Sequence, residues 1–590
     1  MAILLSPGVS VSEVDLTTVV PSVSSSTGAF AGNFVWGPAN EIYPITDENQ
    51  LAATFGAPNG NTAISFLTAS SFLAYGNDLR VVRAINLANC LNATANTTPI
   101  GESIPNKAFY NDEILHADND GLYGPFAARY PGSLGNSINV DVWDSANTTL
   151  FTNWDYSGYF NGITSTSTSV SNAGGANDEL HIIVTDAGGA ITGHKGSVLE
   201  VYPYLSKSLN AKDDNGVSTY YKNVIATQSH YIYATDPVDY ANTNVTWGTN
   251  SANTTFAKIS SVTGNTAFRL SGGSDAEVEQ GDLIDAFDLF SNKDSVDVSL
   301  FITGDARAEV QQHIIDNLVT PAGSLVGRSG DSIAFLSPPR AAVVNQKGNE
   351  VLNIQSWLND NATIFDSTAG LKRSTSYAVV DSGWKYMFDK YNNVYRWVPM
   401  NGDIAGLCAF TDAIRDPWWS PAGYNRGNIK NAVKLAWNPN QQSRDILYQQ
   451  GVNPVVSFPG NGIILYGDKT LQAKPSAFDR INVRRLFIVL EKAIARAAKY
   501  SLFEFNDEFT RAQFISLVSP FLRDVQGRRG IFDFKVVCDT TNNTGYIIDT
   551  NQFIGDIYIK PARSINFIKL NFIAVGTGVN FSEVVGKFWI

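Results

Sequence analysis

The chain has 590 residues, and its 42 Lys and Arg residues against 55 Asp and Glu residues give a formal net charge of −13. An acidic balance of this size argues against general nucleic-acid binding. The cysteines Cys90, Cys408 and Cys538 lie too far apart for a short metal-binding motif and leave one thiol unpaired in any disulfide scheme, which indicates a reduced compartment. At roughly 150 residues for each domain, the length predicts about four domains.

The first residues of the chain predict an extended arm. Residues 9–16 alternate apolar and polar side chains and follow a Ser-Pro-Gly turn. Gly8 is a candidate hinge, and the apolar positions of the arm are Val9, Val11, Val14 and Leu16. The residues before the arm carry no basic stretch, and the chain has no run of about 18 apolar residues, so neither Sec export nor membrane insertion is expected.

The next stretches predict an α/β domain interrupted by a long insertion. Residues 21–90 place two apolar strand-like pieces, GAFAGNFVWG and DLRVVRA, on either side of a helix-like stretch. Residues 91–265 are rich in Asn, Thr, Ser and Gly and contain strand-like runs such as SINVDVW and ELHIIVTD, which predict an inserted, mainly β domain. The α/β pattern resumes over residues 266–440 with SVDVSLFITG, DSIAFLSPP and SYAVVDSGW. The predicted fold class is therefore α/β (α+β) and multidomain.

A basic amphipathic helix is predicted from Phe478 onward. Its apolar side chains recur at three- and four-residue steps and predict one buried stripe, formed by Val483, Leu486, Leu490, Ile494 and Ala497. Four cations share a second face: Arg485, Lys492, Arg496 and Lys499. Residues 474–530 hold eleven Lys and Arg against six Asp and Glu, so the acidic chain has a basic region here. This face either binds a partner, is simply solvated, or pairs with Glu504, Asp507 or Glu508 of its own subunit.

Alternating strands are predicted after this helix. One strand has a shared face formed by Phe532, Phe534, Val536 and Cys538, and a later one has a face formed by Ile568, Leu570, Phe572 and Ala574. Gly576 and Gly578 are candidate hinges before the apolar-rich end at residues 579–590, whose arm positions are Val579, Phe581 and Val584. Such an end can pair with the sheet of a neighbouring subunit.

The sequence offers no motif for catalysis or metal binding. It has no GxxxxGK[ST] loop, no GxSxG elbow and no HExxH pair, and DNDG at 118–121 lacks the rest of an EF-hand loop. No cofactor, metal or enzymatic activity is expected. Trp418 and Trp419 either form a carbohydrate platform or lie in a packed loop or a subunit contact. Structural or exposed roles are expected for the histidines His116, His181, His194, His230 and His313.

A series of short motifs runs in order along the chain. The first part holds LLSPGV, FVWGPA, YGNDLRVVRA, SVDVSLFITG and LSPPR. The second part holds YNNVYRWVP, SPAGYNRG, LYGDKT, FDRINVRRLF, VCDTTNNT and KPARSINFI. This ordered series covers most of residues 1–90 and 280–580, and it resembles the tail sheath proteins of contractile-tailed bacteriophages, particularly of the T-even type.

The resemblance implies how the chain is organised. Both chain ends build an inner domain on a tail tube: residues 1–20 are an N-terminal arm that joins it, residues 441–578 are its main part, and residues 579–590 are a C-terminal arm. Residues 21–90 and 266–440 then form a middle α/β domain, from which residues 91–265 protrude. T-even sheath proteins are longer, so this chain is expected to lack their outermost protrusion.

The resemblance also implies a function and partners. Subunits form hexameric rings in a helical sleeve around the tail tube, the arms add strands to sheets of neighbouring subunits, and contraction needs no ATP. The expected partners are other copies of the chain, the tail tube protein, and baseplate and tail-terminator proteins, without direct nucleic-acid contact. The expected location is the virion tail, assembled in the bacterial host cytoplasm. The basic helix face is expected to grip the tube, because exposed ion pairs are individually weak and can be broken.

Alternatives from other classes stay open at this point. The sheath of a related phage-like contractile injection particle would have the same motifs. A carbohydrate-binding adhesin would account for the Asn- and Thr-rich insertion, although no export signal precedes it. A hydrolase using scattered carboxylates such as Asp112 and Glu113 lacks any recognisable arrangement of catalytic residues.

Overall fold

A computed structural model of the chain describes residues 23–96, 103–115, 122–239, 244–259, 263–321, 328, 330–359, 370–566 and 568. The predicted arms and hinges lie outside these residues: Gly8, Val9, Val11, Val14, Leu16, Gly576, Gly578, Val579, Phe581 and Val584. The later strand predicted around Ile568 also falls almost entirely outside them. These assignments stay predictions.

The described residues contain strands and helices in alternation. The strands are β1 (Gly28–Gly32), β2 (Tyr43–Ile45), β3 (Leu79–Arg83), β4 (Phe126–Ala128), β5 (Ile138–Trp143), β6 (Glu179–Asp186), β7 (Ser197–Ser206), β8 (Ile232–Ala234), β9 (Asn265–Arg269), β10 (Leu300–Ile302), β11 (Ile333–Leu336), β12 (Ala378–Asp381), β13 (Trp384–Asp389), β14 (Val394–Pro399), β15 (Lys434–Leu435), β16 (Val452–Asn453), β17 (Val455–Phe458), β18 (Gly462–Leu465), β19 (Ile531–Val537) and β20 (Asp556–Pro561). The helices are α1 (Glu48–Phe55), α2 (Ala63–Leu73), α3 (Lys107–Phe109), α4 (Thr148–Thr152), α5 (Thr168–Asn172), α6 (Tyr221–Gln228), α7 (Gln280–Asp288), α8 (Ala308–His313), α9 (Arg340–Val343), α10 (Glu350–Asn359), α11 (Asn401–Ile414), α12 (Gln441–Gln449), α13 (Ile481–Ala498), α14 (Glu508–Gly527) and α15 (Gly545–Asp549).

A seven-stranded sheet forms the centre of the first of two compact units, which divide between Phe505 and Asn506. Its strand order is β16-β12-β11-β10-β1-β3-β2, and all neighbours run parallel except the edge pair β2 and β3. Parallel strands covered on both faces require apolar side chains on both sides. The continuous apolar runs in the sequence therefore become this sheet, as predicted, which confirms a mixed α/β fold.

Alternate residues of these strands enter two different cores. Ala29 and Ala31 of β1 face the core that contains Phe287 of α7, together with buried side chains of α8 and α10. Phe30 faces the opposite core, which is filled from α2, α11 and α13. The period of two along each strand thus assigns every covering helix to one face of the sheet.

The residues between β3 and β10 contain the predicted β-rich insertion. Strands β7-β6-β5-β9 form an antiparallel sheet, and β4 pairs with β8. The runs SINVDVW and ELHIIVTD are the neighbouring strands β5 and β6, as predicted. One face of this sheet packs Val140 and Ile182 into the main core of the insertion, and the other packs Trp143 and Ile183 into an aromatic cluster.

Two smaller sheets of the first unit contribute side chains to the core that contains Phe30. The hairpin of β13 and β14 pairs with β15, and β17 pairs with β18. Since β16 adds Val452 and Asn453 to the central sheet, this sheet extends past residue 440, where the middle domain was predicted to end.

The second unit is small and built around one long helix. Asp507 caps α14, its Oδ1 accepting the N–H of Thr510 at 2.8 Å. The helix buries Val518, Leu522 and Val525, and β19 pairs antiparallel with β20. The alternation over residues 532–538 is a strand as predicted, but the helix before it was not anticipated. The predicted half-buried face is confirmed at Phe534, Val536 and Cys538, which are half-buried or buried, whereas Phe532 is exposed.

Candidate assembly surfaces

The basic helix α13 packs its predicted apolar stripe inward. All five stripe residues are buried: Val483, Leu486, Leu490, Ile494 and Ala497. The helix spans Ile481–Ala498, within the stretch predicted from its periodicity. The stripe prediction is therefore confirmed.

Arg485, by contrast, is not exposed for a partner. Its guanidinium donates to both carboxylate oxygens of Asp412, with Nη2 to Oδ2 at 2.6 Å and Nη1 to Oδ1 at 2.9 Å. Its Nη2 also donates to the Ser25 carbonyl at 3.1 Å. A bidentate pair of this kind is strong and geometrically specific when it is buried. The assignment of Arg485 to an exposed basic face is therefore wrong.

The other three cations of the predicted basic face become more exposed along α13 and just past its end. The side chains of Arg485, Lys492, Arg496 and Lys499 are 3%, 9%, 46% and 69% exposed. Lys492 and Arg496 share Asp297, at 2.8 Å and 3.1 Å, and Lys499 lies 3.6 Å from Asp294. Burial raises the pKa of Asp297, but the hydrogen bonds and charges of Lys492 and Arg496 outweigh it and hold that pKa below its ordinary value. Each cation of this face thus has an aspartate of its own subunit, and the tube-gripping role stays a prediction.

The first described residues of the chain join the same network. Ser25 Oγ donates to Asp412 Oδ2 at 2.7 Å, and Thr27 Oγ1 donates to Asp78 at 2.6 Å. Ser299 Oγ donates to the Ser24 carbonyl and accepts from Lys492 Nζ. The first described residues are therefore joined to α11 and α13 by partly buried polar contacts.

A second basic region, which the sequence analysis missed, follows α11. Each of its five cations lies over an aromatic ring, and we call the group the basic–aromatic surface: Arg415, Arg426, Lys430, Lys434 and Arg444. Among the residues that the structure describes, no carboxylate oxygen lies within 4.0 Å of any of these cations. The available signal was the stretch from residue 417 to 444, which has four cations and no Asp or Glu.

The members of this surface are linked through shared rings. Arg415 and Arg426 lie over Trp419 at 5.5 Å and 5.4 Å. Two residues before Arg426, Tyr424 contacts the ring of Tyr466, and Arg444 lies over that ring at 5.8 Å. Burial, and then the charge of Arg415, lower the pKa of Arg426 from its ordinary value. The surface therefore holds like charges close together, and the described part of the chain places no carboxylate within 4.0 Å of them.

Lys430 and Lys434 also belong to this surface, and Trp418 and Trp419 lie in the part that contains Arg415 and Arg426. Lys430 lies 4.7 Å from the centre of the Tyr75 ring, and Lys434 lies 4.8 Å from that of Tyr386. Trp418 is buried, while Trp419 carries the two arginines. The expectation that Trp418 belongs to a packed loop is confirmed.

The sheet of the second unit offers another surface for assembly. Within the described part of that unit, β19 and β20 pair only with each other, so both strands are edges. Large apolar side chains are exposed on and beside them: Phe509, Phe532, Tyr546, Tyr558, Ile565 and Ile568. A two-stranded sheet is marginally stable alone, and unpaired edges favour the addition of a further strand.

Other residues weighed in the sequence occupy structural or exposed positions. His181 is buried, with its ring nitrogens bonded to the Gly162 carbonyl at 2.9 Å and the Tyr204 N–H at 3.0 Å. Burial lowers the pKa of His181 to about 4, so the ring is neutral. Asp112 and Glu113 are exposed on a single π turn.

Two crevices meet at the carboxyl edge of the central sheet. One of about 600 Å³ lies beyond β1 and β10, where the strand order reverses, and is lined by Asn33, Ser65, Arg83 and Asp275 among others. Arg83 is buried there and donates to backbone carbonyls, at 3.0 Å to Phe34 and 2.8 Å to Pro131. In the described ranges, His, Cys, Asp and Glu side chains form no group suited to a metal, and no helix is long and apolar enough to cross a membrane.

Comparison with known proteins gives a consistent result. Three family models match in chain order: the tail sheath protein Gp18 domain III N-terminal region over residues 26–84, the phage tail sheath protein central domain over 276–471, and the phage tail sheath C-terminal domain over 473–574. The unmatched residues between 84 and 276 contain the β-rich insertion.

Relatives of full length match as well. The tail sheath protein of Vibrio phage KVP40 is 36% identical, with 99% of this chain and 100% of that protein covered, and that of Enterobacteria phage T4 is 34% identical, with 99% of both covered. The alignments extend over 680 and 693 positions, so both contain positions without a counterpart in these 590 residues. The crystal structure of a sheath tail protein from Listeria innocua has a similar fold, with a TM-score of 0.50, 11% identity, and 92% of this chain and 96% of that chain covered.

Proposed function

The chain belongs to the phage tail sheath family, and on that premise we propose that it polymerises as hexameric rings in a helical sleeve around a tail tube and contracts to drive the tube through a host envelope. The observation that carries this proposal is the match to two tail sheath proteins over essentially their whole lengths. Neither an adhesin nor a hydrolase would require such a match. The chain is a structural subunit, and it has no catalytic role in this proposal.

Neighbouring subunits are joined by exchanged strands. The arms at residues 9–16 and 579–590 carry alternating or apolar-rich sequence, and the β19–β20 sheet has two open edges beside exposed apolar side chains. Backbone hydrogen bonds to an added strand contribute about 0.5–1.5 kcal/mol each, so a short arm adds a few kcal/mol for each contact. Gly8, Gly576 and Gly578 serve as hinges of these arms.

Contraction runs from a metastable extended lattice to a shorter and wider one, without ATP, as subunit interfaces repack. The sequence has no nucleotide-binding loop, which is consistent with this scheme. Arg496 and Lys499, the most exposed cations of α13, make the releasable contacts with the tube, while Lys492 stays with its own subunit. The other partners are baseplate and tail-terminator proteins, and the particle is assembled in the bacterial cytoplasm.

Assembly of the purified chain tests the proposal directly. We expect hollow helical tubes by negative-stain electron microscopy, and we expect their formation to be lost when residues 1–16 or 579–590 are deleted. A finer test replaces Val9 and Val11 by Ser, with Ser10→Ala and Ser12→Ala as the matched control on the other face of the same arm.

The outcomes separate the parts of the proposal. Tubes that require the valines but tolerate the serine substitutions support strand exchange. Tubes that form equally well without either arm would overturn strand exchange and leave self-assembly intact. A chain that stays monomeric at high concentration, and also in the presence of a purified tube, would overturn the sheath proposal itself.

A further inference from the structure

We propose that the basic–aromatic surface of one subunit binds the acidic segment 277–285 of a neighbouring copy, and that this contact is a lattice interface of the polymer. The inference rests on the proposed self-assembly and adds a pair of surfaces to it. It is independent of the terminal arms and of the sheet in the second unit.

The acidic segment lacks cations of its own. Residues 270–292 contain six acidic residues and no Lys or Arg. Glu277, Glu279 and Asp285 are exposed, and no described Lys or Arg nitrogen lies within 4.0 Å of their carboxylates. Beyond this segment, Asp288 is bonded to His313 at 2.6 Å. Around the start of α7, the segment therefore presents carboxylates that lack a Lys or Arg partner among the described residues.

The basic–aromatic surface has the complementary property. Its five cations are held over rings without a carboxylate nearby in the described structure, and Arg415, Lys430 and Lys434 are exposed. Arginine and aromatic side chains are favoured at protein interfaces because they combine a large apolar area with charge. A carboxylate arriving from outside would neutralise positive charges that repel one another.

The acidic segment and the part of the basic–aromatic surface around Arg426 and Lys430 pack against opposite faces of the central sheet. Helix α7 buries Ala286 and Phe287 in the core on one face. The segment that carries Arg426 and Lys430 buries Ile429 in the core on the other face. Within one subunit the sheet thus separates the acidic segment from this part of the basic–aromatic surface, and we expect the two to meet between copies.

A contact between two different patches of the same chain is heterologous, so repetition generates a ring or an open helix. This is the symmetry that a sleeve of identical subunits needs. Because the contact is electrostatic and partly exposed, it weakens as salt shortens the Debye length. A neighbour could therefore engage and release this surface during a rearrangement of the lattice.

Charge reversal with compensation tests the contact. In the full chain, Arg415→Glu with Lys434→Glu places like charges opposite the acidic segment, and so does Glu277→Lys with Asp285→Lys opposite the basic surface. We expect each double variant to raise the concentration needed for tube formation at least about tenfold, since like-charge juxtaposition across an interface is costly. The variant carrying all four substitutions should recover to within about threefold, because the paired charges are only exchanged.

Matched controls carry the same charge changes on the insertion. Lys195→Glu with Lys212→Glu and Asp155→Lys with Asp214→Lys alter exposed residues that belong to neither surface, and we expect no change in assembly. Milder versions, Arg415→Gln with Lys434→Gln, keep the test valid if a reversal misfolds. Circular dichroism of each monomer verifies folding.

Carbodiimide cross-linking detects the contact directly, because it joins a lysine amine to an adjacent carboxylate. A mixture of ¹⁴N- and ¹⁵N-labelled chains is cross-linked, and peptides joining Lys430 or Lys434 to Glu277, Glu279 or Asp285 are sought with mixed isotopes. Their presence supports the contact. If wild-type tubes form but lack these links and tolerate both reversals, the contact is wrong and the sheath proposal stands. If no tubes form at high concentration, even in the presence of a purified tail tube, the sheath proposal fails, and absence of the links under these conditions overturns the contact as well.

Discussion

Two regions of this subunit, α13 and the basic–aromatic surface, are both rich in Lys and Arg. Their cations differ in whether an aspartate of the same subunit lies beside them. On α13, Arg485 is buried and Lys492 is mostly buried, each against an aspartate of a distant segment. On the basic–aromatic surface, Arg415 and Lys434 rest on rings, and the described residues supply no carboxylate within 4.0 Å. The first set holds the subunit together, and the second leaves charge available. Local cation density therefore does not identify which basic region faces a partner.

The largest expected difference between buried and exposed cations is tested by removing the Arg485 side chain. We expect Arg485→Leu to lower the unfolding free energy of the first unit by about 3–5 kcal/mol, because it leaves Asp412 buried without its partner. The measurement is denaturant unfolding of the full chain followed by fluorescence. Lys499→Met is the matched control at the exposed end of the helix, with an expected change within about 0.5 kcal/mol. Similar effects of the two variants would contradict the gradient of burial.

Substitution of Lys492 tests the middle of the gradient of burial along α13. Lys492 Nζ bonds Asp297 at 2.8 Å, Ser299 Oγ at 2.8 Å and the Val298 carbonyl at 3.2 Å. Hydrogen bonds to a charged group contribute about 1.5–3 kcal/mol, and we expect a loss of this size for Lys492→Met. Arg496→Met should lower stability by only about 0.2–1 kcal/mol, because its pair with Asp297 is exposed. A larger loss of stability for Arg496→Met than for Lys492→Met would contradict the gradient of burial along the helix.

Acid titration should reveal how much the ion pairs of Asp297 with Lys492 and Arg496 contribute to stability. The pKa of Asp297 is held below 3.8, so its ion pairs stabilise the folded chain above that pH and are lost as pH falls through the lower folded value. We expect the stability difference between wild type and Asp297→Asn to be constant near neutrality and to shrink as pH falls below about 4. Unfolding midpoints measured from neutral to acidic pH give this curve. A difference that grows on acidification would mean that the carboxylate is not stabilised by its cations.

The smallest effect on stability is expected on the basic–aromatic surface. Lys434 and Lys207 both lie 4.8 Å from a ring centre, but Lys207 also forms a fully buried pair with Asp144 at 2.8 Å. Lys434→Met should lower stability by about 0.5–1 kcal/mol, the range of an exposed cation–π contact. Lys207→Met should lower it by about 3–5 kcal/mol, since Asp144 stays buried. Equal losses by thermal unfolding would show that Lys434 has a structural role.

Much of the fold could be predicted from local patterns. The runs containing Phe301, Phe335 and Val379 are apolar at successive positions, and they became neighbouring parallel strands buried on both faces. The three- and four-residue spacing from Val483 to Ala497 fixed the buried stripe of α13. The helix before β19 was missed because α14 has a weak amphipathic pattern and contains Pro520. Family membership was likewise recognisable from the ordered motifs.

The sequence by itself determined most of the segments that become strands and helices, since periodicity is a property of neighbouring residues, and it determined the family. Only the tertiary structure decided which partner each charged side chain has. Arg485 meets Asp412 across 73 positions of the chain, and Lys492 meets Asp297 across 195. No local spacing encodes such partners, because a charge is neutralised by whatever the fold brings within a few ångströms of it. The same packing left Arg415 and Lys434 on rings, on the face of the sheet opposite the acidic segment.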